Sequence, residues 1–342
     1  MAKIRVLVID DSSIARQVIT SALQSDGSIE VVGSAPDPYV ARDKIISLKP
    51  DVLTLDVEMP RMDGVSFLQR LMKHHPMPVV MVSSLTQKGA ETTMAALEAG
   101  AVEIVAKPVQ EKHNLNEITI ELIDKVKSAA QARVKPVSQA DIIRKPRPLS
   151  SMVATTNKVV AIGASTGGTE ALKDVLSRMP ANSPGILVVQ HMPETFTTAF
   201  SARLNALSVI NIKEAANNDS LTPGVCLVAP GNKHMLLRRS GARYYVEVKD
   251  GPLVCRHRPS VEVMFNSVAK TAGKNAIGVM MTGMGGDGSK AMLNMKNAGA
   301  STIAQDEKSC VVFGMPKEAI KLGAVDKITP LDRIPQTILT MV

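Results

Sequence analysis

Val159-Val160-Ala161-Ile162-Gly163-Ala164-Ser165-Thr166-Gly167-Gly168-Thr169-Glu170 is a short apolar run that stops at a serine fenced by small residues. A helical period begins at once: Ala171, Leu172, Val175, Leu176 and Met179 fall on one face of a 3.6-residue repeat. The succession predicts a buried strand, a tight turn and a helix, with Ser165 on the turn. Gly163, Gly167 and Gly168 supply the backbone freedom and close approach that such a turn needs. Gly163 to Gly167 also fits G-x-S-x-G, which exposes a hydroxyl beside a helix N-terminus able to stabilise an oxyanion. The same residues read equally well as a helix cap or a phosphate-cradling turn, so the decision rests on the rest of the chain. Two rivals fall at once. A dinucleotide fingerprint needs glycine where Ser165 stands. A P-loop needs Gly-Lys-Ser/Thr where Gly168 is followed by Thr169-Glu170.

Downstream, Ile186–Val189 reads as a second buried strand and runs into Gln190-His191-Met192-Pro193. A later strand, Ala276–Met281, runs into Thr282-Gly283-Met284-Gly285-Gly286-Asp287-Gly288, and a helical pattern through Ala291, Met292 and Met295 follows. Ser165, His191 and Asp287 thus each fall just past the carboxyl end of a strand. In a parallel sheet those ends share one edge, where nucleophile, base and orienting acid have to meet. Gly-Gly-Asp-Gly is also ordinary turn chemistry, so Asp287 is the weakest of the three on its own. Of the six histidines, His74, His75 and His113 lie in polar stretches and read as solvated, while His234 and His257 read as candidate substrate contacts. Met235–Arg238 and Tyr244–Val248 flank Ser240-Gly241 and read as an antiparallel hairpin added to the parallel sheet.

The first 130 residues alternate strand and helix: Ile4–Ile9, Ile29–Val32, Val52–Leu55, Val79–Val82 and Val102–Val105 are apolar runs, with helical periods between them. Five such units imply a doubly wound parallel sheet with its ligands at the strands' carboxyl ends. Asp10 and Asp11 follow the first strand, Asp56 ends the third, Ser83 closes the fourth, and Lys107-Pro108 follows the fifth. Carboxylates gathered on one edge repel unless a hard dication joins them, and Mg²⁺ suits oxygen ligands. Asp56 is then placed to attack a phosphoryl donor, with Lys107 and the Ser83 hydroxyl facing the phosphate oxygens.

Composition sets the bounds. With 342 residues the chain has room for two domains. No run of about 18 apolar residues spans a membrane, and the N-terminus enters a strand without the form of a signal peptide. Cys226, Cys255 and Cys310 are scattered without metal spacing and fit reduced thiols. These features point to a cytoplasmic protein. The 19 methionines beside 5 Phe, 3 Tyr and no Trp indicate an aliphatic core with soft gap-filling. The net charge of +8 is uneven: residues 1–130 carry 14 basic against 17 acidic side chains (−3), residues 131–152 carry 5 against 1 (+4), and residues 153–342 carry 21 against 14 (+7). Residues 131–152 hold Pro136, Pro146 and Pro148 without periodicity and read as a tether, whose start a continuing helix through Ala129–Arg133 would claim. The basic half has few aromatics for stacking and no helix-turn-helix or zinc-finger pattern, so an acidic protein is a better partner than nucleic acid.

On these motifs the front half resembles the receiver domain of bacterial response regulators. Gly163–Ala171, Gln190-His191-Met192-Pro193, Ala229-Pro230-Gly231, Thr282–Gly288 and Val312-Phe313-Gly314-Met315-Pro316 resemble the chemotaxis protein-glutamate methylesterase (CheB) family, over essentially the whole chain. The resemblance implies two doubly wound α/β domains: a receiver at 1–130, a linker at 131–152 and a larger, mainly parallel esterase domain at 153–342. It implies phosphorylation of Asp56 by a histidine kinase. Mg²⁺ would be held by Asp11, Asp56 and the main-chain carbonyl of Glu58, with Asp10 behind them, and Lys107–Pro108 would be cis. It also implies hydrolysis of glutamate γ-methyl esters on chemoreceptors and deamidation of some receptor glutamines. Ser165, His191 and Asp287 would be the catalytic set, with an oxyanion site near Thr166 and Met284 and no cofactor for the ester reaction. The order Ser, His, Asp excludes the α/β-hydrolase parent, whose order is Ser, Asp, His. Two departures stand out: Ile104 where receivers often carry an aromatic switch residue, and Glu262 where aspartate is expected. From the residues alone, a basic output domain that binds DNA and a phosphorylation-gated, non-catalytic adaptor stay open.

Overall fold

The computed structural model describes residues 2–84, 86–107, 115–134, 148–149 and 157–342. The chain divides into two compact units, Met1–Arg144 and Lys145–Val342. The expected linker falls largely outside the described residues, as does Pro108 with its expected cis bond; the cis bond that is described is Arg258–Pro259.

In the first unit β1 (Ile4–Ile9), β2 (Ile29–Ala35), β3 (Val52–Asp56), β4 (Val79–Ser83) and β5 (Glu103–Ala106) form a parallel sheet in the order β2-β1-β3-β4-β5. Helices α1 (Ser13–Gln24), α2 (Pro38–Leu48), α3 (Gly64–His74), α4 (Gln87–Glu98) and α5 (Leu115–Ala129) alternate with the strands. Their starts are written locally: the side chains of Ser12, Asp37, Asp63 and Thr86 accept the first orphan N–H groups of α1 to α4. β3 and β4 are buried throughout, which explains their unbroken apolar runs. Ile104 is buried in β5, so no aromatic side chain stands at that position. α5 ends at Ala129 and a turn follows, with Ala132 N–H bonded to the Ala129 carbonyl.

The second unit is built on a seven-stranded, wholly parallel sheet in the order β15-β14-β13-β6-β7-β10-β8. Its strands are β6 (Val159–Ala164), β7 (Gly185–Gln190), β8 (Asn211–Glu214), β10 (Val225–Val228), β13 (Ala276–Met280), β14 (Ser301–Gln305) and β15 (Lys327–Thr329). The helices are α6 (Gly168–Leu176), α7 (Phe196–Leu207), α8 (Val261–Thr271), α9 (Ser289–Asn297), α10 (Met315–Lys321) and α11 (Ile334–Thr340). The expected hairpin is present as β11 (His234–Ser240) and β12 (Arg243–Lys249), but β9 (Ser220–Leu221) adds a third strand, and the three form a sheet of their own. Met264, Met280, Met292, Met295 and Met315 are fully buried in the core where aromatics are scarce. From β6 the chain builds outward through β7 and then returns to the other side of β6 with β13. That reversal is the place where open α/β sheets bind their ligands. Among the described residues no helix is long and apolar enough to cross a membrane.

Candidate active site

Three adjacent strands deliver the three candidate side chains. Ser165 follows β6 directly, His191 follows β7 directly, and Asp287 lies in the loop between β13 and α9; all three are buried. The Ser165 turn is pinned from both sides. Its N–H donates to the Thr282 carbonyl at 3.0 Å, and its carbonyl accepts from Gly168 N–H at 2.7 Å. Gly167 takes φ +73°, and a Cβ there would stand 2.5 Å from Val311 Cβ, so the conformation and the space both demand glycine. Gln190, buried at the end of β7, donates its amide to the Ser165 carbonyl at 3.0 Å and to the His191 carbonyl at 3.3 Å. One side chain thus ties the backbones of the candidate nucleophile and base together.

His191 Nε2 lies 2.8 Å from Asp287 Oδ2. The Nε2 edge of the ring therefore belongs to the acid. The Asp287 carboxylate is received by the start of α8: Ser260 Oγ donates at 2.8 Å, Val261 N–H at 2.7 Å and Glu262 N–H at 3.0 Å. Ser260 is the N-cap of α8, yet its hydroxyl makes no bond to its own helix. Asp287 caps the helix from outside instead, and the helix dipole favours its negative charge. Burial works to raise the Asp287 pKa, but the His191 ring, the Ser260 hydroxyl and the Val261 N–H outweigh it and hold the group below the usual carboxylate range. The acid is therefore ionised wherever the pair operates. Val261 also wedges the site: a Cβ on Gly163 would come within 2.9 Å of Val261 Cγ2, and a Cβ on Gly288 within 2.9 Å of Val261 Cβ.

The loop before Asp287 closes against Ser165. Thr282 Oγ1 donates to the Thr166 carbonyl at 2.9 Å and accepts from Val312 N–H at 3.0 Å, while the Gly283 carbonyl takes N–H groups from Gly314 and Met315. A Cβ on Gly283 would stand 2.7 Å from Ser165 Cβ, so the backbone just before Met284 passes directly beside Ser165. Thr166 is fully buried and Met284 half-buried.

The first unit holds a second site. Lys107 Nζ contacts Asp56 Oδ2 at 2.7 Å and Asp10 Oδ2 at 3.1 Å. Burial pushes the Asp56 carboxyl up to about 6, helped by the charge of Asp10 and opposed by Lys107. Burial pulls Lys107 down, but Asp56 and Asp10 outweigh it and hold the ammonium above its ordinary value. Asp10, Asp11 and Asp56 each bring one carboxylate oxygen to within 4.8 Å of the others. An all-oxygen set of three carboxylates against the one ammonium of Lys107 keeps an excess of negative charge, and with a destabilised carboxylate it fits Mg²⁺. Glu58 N–H donates to Asp56 Oδ1 at 3.3 Å, which puts Glu58 at the rim, and Ser83 is buried at the end of β4.

Comparison with known proteins gives the family. Residues 160–338 match the CheB methylesterase family and residues 6–119 the response regulator receiver domain. The chain belongs to the CheB methylesterase family. It is 60% identical to a protein-glutamate methylesterase/protein-glutamine glutaminase of Syntrophus aciditrophicus, with 100% of both chains covered. A protein of the same name from Geobacter metallireducens is 54% identical, covering 100% of this chain and 99% of that one. The catalytic domain of Thermotoga maritima CheB is 35% identical, with a TM-score of 0.54, covering 55% of this chain and 100% of that chain.

In this chain the structure brings Ser165, His191, Asp287, Thr166 and Met284 together at one edge, and Asp10, Asp11, Asp56, Glu58 and Lys107 at the other unit's edge. His74 and His75 are exposed as expected, and His113 lies outside the described residues. His234 departs from expectation. It is buried, its Nδ1 accepts Ser260 N–H at 3.3 Å, and its Nε2 therefore donates to the Pro252 carbonyl at 2.8 Å. Both ring nitrogens are committed to the backbone, so it is a structural pin. Glu262 serves Asp287 through its main chain, which any residue supplies, and its longer side chain reaches Ala291 N–H at the start of α9 at 3.2 Å. Sequence reading gave no role to Gln190, Ser260 or Thr282. A polar side chain wholly buried at a strand end and a cap serine that neglects its own helix are the signals that mark them.

Proposed function

We propose that this chain is a phosphorylation-activated serine esterase that hydrolyses glutamate γ-methyl esters on chemoreceptors, releases methanol, and also deamidates receptor glutamines. The observation that carries the proposal is the buried His191–Asp287 pair, 2.8 Å long and fed by three donors, at the strand edge that bears Ser165. His191 Nδ1 takes the Ser165 proton as Oγ attacks the ester carbonyl. Asp287 holds the tautomer and supports the imidazolium. His191 then gives that proton to the methoxy oxygen, or to the amide nitrogen of a glutamine, as its bond to carbon breaks, so that methanol or ammonia departs neutral. Water attacks the acyl-enzyme by the same route in reverse and restores Ser165. The tetrahedral oxyanion forms beside Thr166 and the Met284 backbone, where each N–H donor is worth about 3–4 kcal/mol. The basic esterase half favours encounter with glutamate-rich receptor surfaces. A DNA-binding or adaptor output does not require a buried nucleophile–base–acid arrangement.

The domain division assigned to this activity is a receiver at 1–130, a linker at 131–152 and the esterase at 153–342, in a cytoplasmic protein without membrane insertion. Asp56 accepts the phosphoryl group from a chemotaxis histidine kinase. Asp11, Asp56 and the Glu58 carbonyl would hold Mg²⁺, with Asp10 behind them; the ion would shield the attacking carboxylate and the incoming phosphate from one another. Lys107 neutralises phosphate oxygens and Ser83 donates to one. The test is methanol release from methylated receptor membranes with and without acetyl phosphate. No release from wild type under either condition would sink the proposal.

A further inference from the structure

His257, sixty-six residues from His191 in sequence, stacks on its ring: the centroids are 3.7 Å apart and the planes differ by 16°. The segment that carries it is built at some cost. Val254 N–H donates to the His257 carbonyl at 3.1 Å and His257 N–H to the Val254 carbonyl at 2.9 Å, closing a two-residue turn. Its central residues, Cys255 and Arg256, have φ +51° and +69°. A turn with both central residues in the left-handed region normally carries Asn-Gly or Asp-Gly, and side chains there are strained. The turn does not sway as a free loop. Arg258 Nη1 donates to the Gly251 carbonyl, its Nε to Asn232 Oδ1 at 2.9 Å, and His234 holds the Pro252 carbonyl.

The same turn meets the other member of the pair. Cys255, exposed at the centre of the turn, is held near the acid's charge: partial burial first, then the Asp287 and Glu262 charges, push its thiol up to about 11. A strained two-residue turn therefore meets His191 through the His257 ring, with Cys255 within reach of the Asp287 charge. Simple packing does not call for this, because an aliphatic residue on a relaxed turn would fill the space.

We propose that the Val254–His257 turn is a positioning device for the His191–Asp287 pair, with the His257 ring fixing the plane of the His191 ring. The inference rests on the esterase reading given above. A hydrogen bond at Nε2 fixes that edge of the His191 ring but does not by itself set the tilt of its plane about the Cβ–Cγ bond. A second ring laid on its face sets that tilt and keeps Nδ1 in the plane that Ser165 needs. His257 acts through His191 and is a positioning residue, not a catalytic one.

The test uses the full-length protein with acetyl phosphate and compares His257→Ala, His257→Leu and His257→Phe. Methanol release from methylated receptor membranes gives kcat and KM, and labelling of Ser165 by an organofluorophosphonate reads the nucleophile without the receptor. In His257→Ala both kcat and the labelling rate fall by about tenfold or more, with KM within about twofold, because misplacing a base costs rate rather than binding. His257→Phe, which keeps a flat face, recovers kcat to within about threefold of wild type and exceeds His257→Leu by about fivefold. If His257→Ala fails to fold, the Phe and Leu variants decide alone. Equal rates for Phe and Leu, an unchanged kcat in Ala, or a loss confined to KM would overturn the proposal, the last by making His257 a receptor contact. A wild-type protein that neither releases methanol nor labels at Ser165 defeats the esterase reading instead, whatever the variants do.

Discussion

Gly168→Ala sets helix propensity against site geometry. Gly168 is the first residue of α6, where alanine is ordinarily the better helix former by up to about 1 kcal/mol. Yet a Cβ at this position would stand 2.8 Å from Ala164 Cβ and 3.1 Å from Gln190 Cδ, and would overlap Gln190 Oε1. Gln190 is buried, so its amide has to swing away and give up the bonds to the Ser165 and His191 carbonyls, 3.0 and 3.3 Å long. Two hydrogen bonds at about 1 kcal/mol each, with the buried Gln190 amide deprived of both acceptors, come to roughly 2–4 kcal/mol. Net of the propensity gain, the variant loses about 1–3 kcal/mol, a fall of roughly 2–12 °C in the melting midpoint for a unit of this size. Release of the tie between the two backbones lowers kcat by about 10- to 100-fold. Gly286→Ala serves as the stability control, since its nearest neighbours are at 3.5 Å, ordinary contact. Thermal melts and methanol release measure both effects. A Gly168→Ala protein that melts at or above wild type with kcat within about twofold would refute the role given to Gln190.

Other outcomes follow from the same geometry. Ser165→Ala and His191→Ala each abolish methanol release without moving the melting midpoint by more than a few degrees, since the two side chains act as one unit; a tenth of the wild-type rate left in either would be too much. Asp56 sits near 6 in the fold against 3.8 ordinarily, so its ionised form is disfavoured by the fold. Receiver stability therefore falls as pH rises from about 4 to about 6, by up to about 3 kcal/mol, and is level above that. Asp56→Asn removes the slope and prevents labelling by acetyl phosphate, and Mg²⁺ raises the wild-type midpoint at pH 7 but not that of the variant. A slope that persists in Asp56→Asn assigns the titration elsewhere. A fragment beginning near Ser150 hydrolyses receptor esters faster than the unphosphorylated whole chain and ignores phosphodonors. The basis is the opposite charge of the two halves of one chain, −3 over residues 1–130 and +7 over residues 153–342, which favours their association. Equal rates would mean that the receiver acts only by positive means.

The placement of Ser165, His191 and Asp287 at one sheet edge was legible because each follows a strand that announces itself by an apolar run, and because parallel strands present one edge. The aspartates, Ser83 and Lys107 of the receiver were legible for the same reason. What lay hidden was whatever depends on distant pairing. β8, β9, β10, β14 and β15 are two to five residues long, too short for periodicity to register. The cradle of Asp287 comes from residues 25 to 27 positions away, joined only once α8 has docked. His234 looked like a substrate contact because burial is not written in its neighbours; His257 looked the same, and only the ring-on-ring contact with His191 gives it a place.

The strand order carries a further consequence for how activity is acquired. β13 and β7 are not neighbours; β6 lies between them, so the strands that lead to Asp287 and His191 are about 10 Å apart. The acid crosses that gap on a loop held by Thr166, by residues 312–315 and by the start of α8. A refolding chain that has paired β6 with β7 already holds Ser165 and His191, yet lacks the acid until the C-terminal segments arrive. Recovery of esterase activity should then lag the return of helix signal in a refolding experiment, and simultaneous recovery would show that the late segments dock with the first strands. The last part of the chain to find its place is the part that turns a folded sheet into an enzyme.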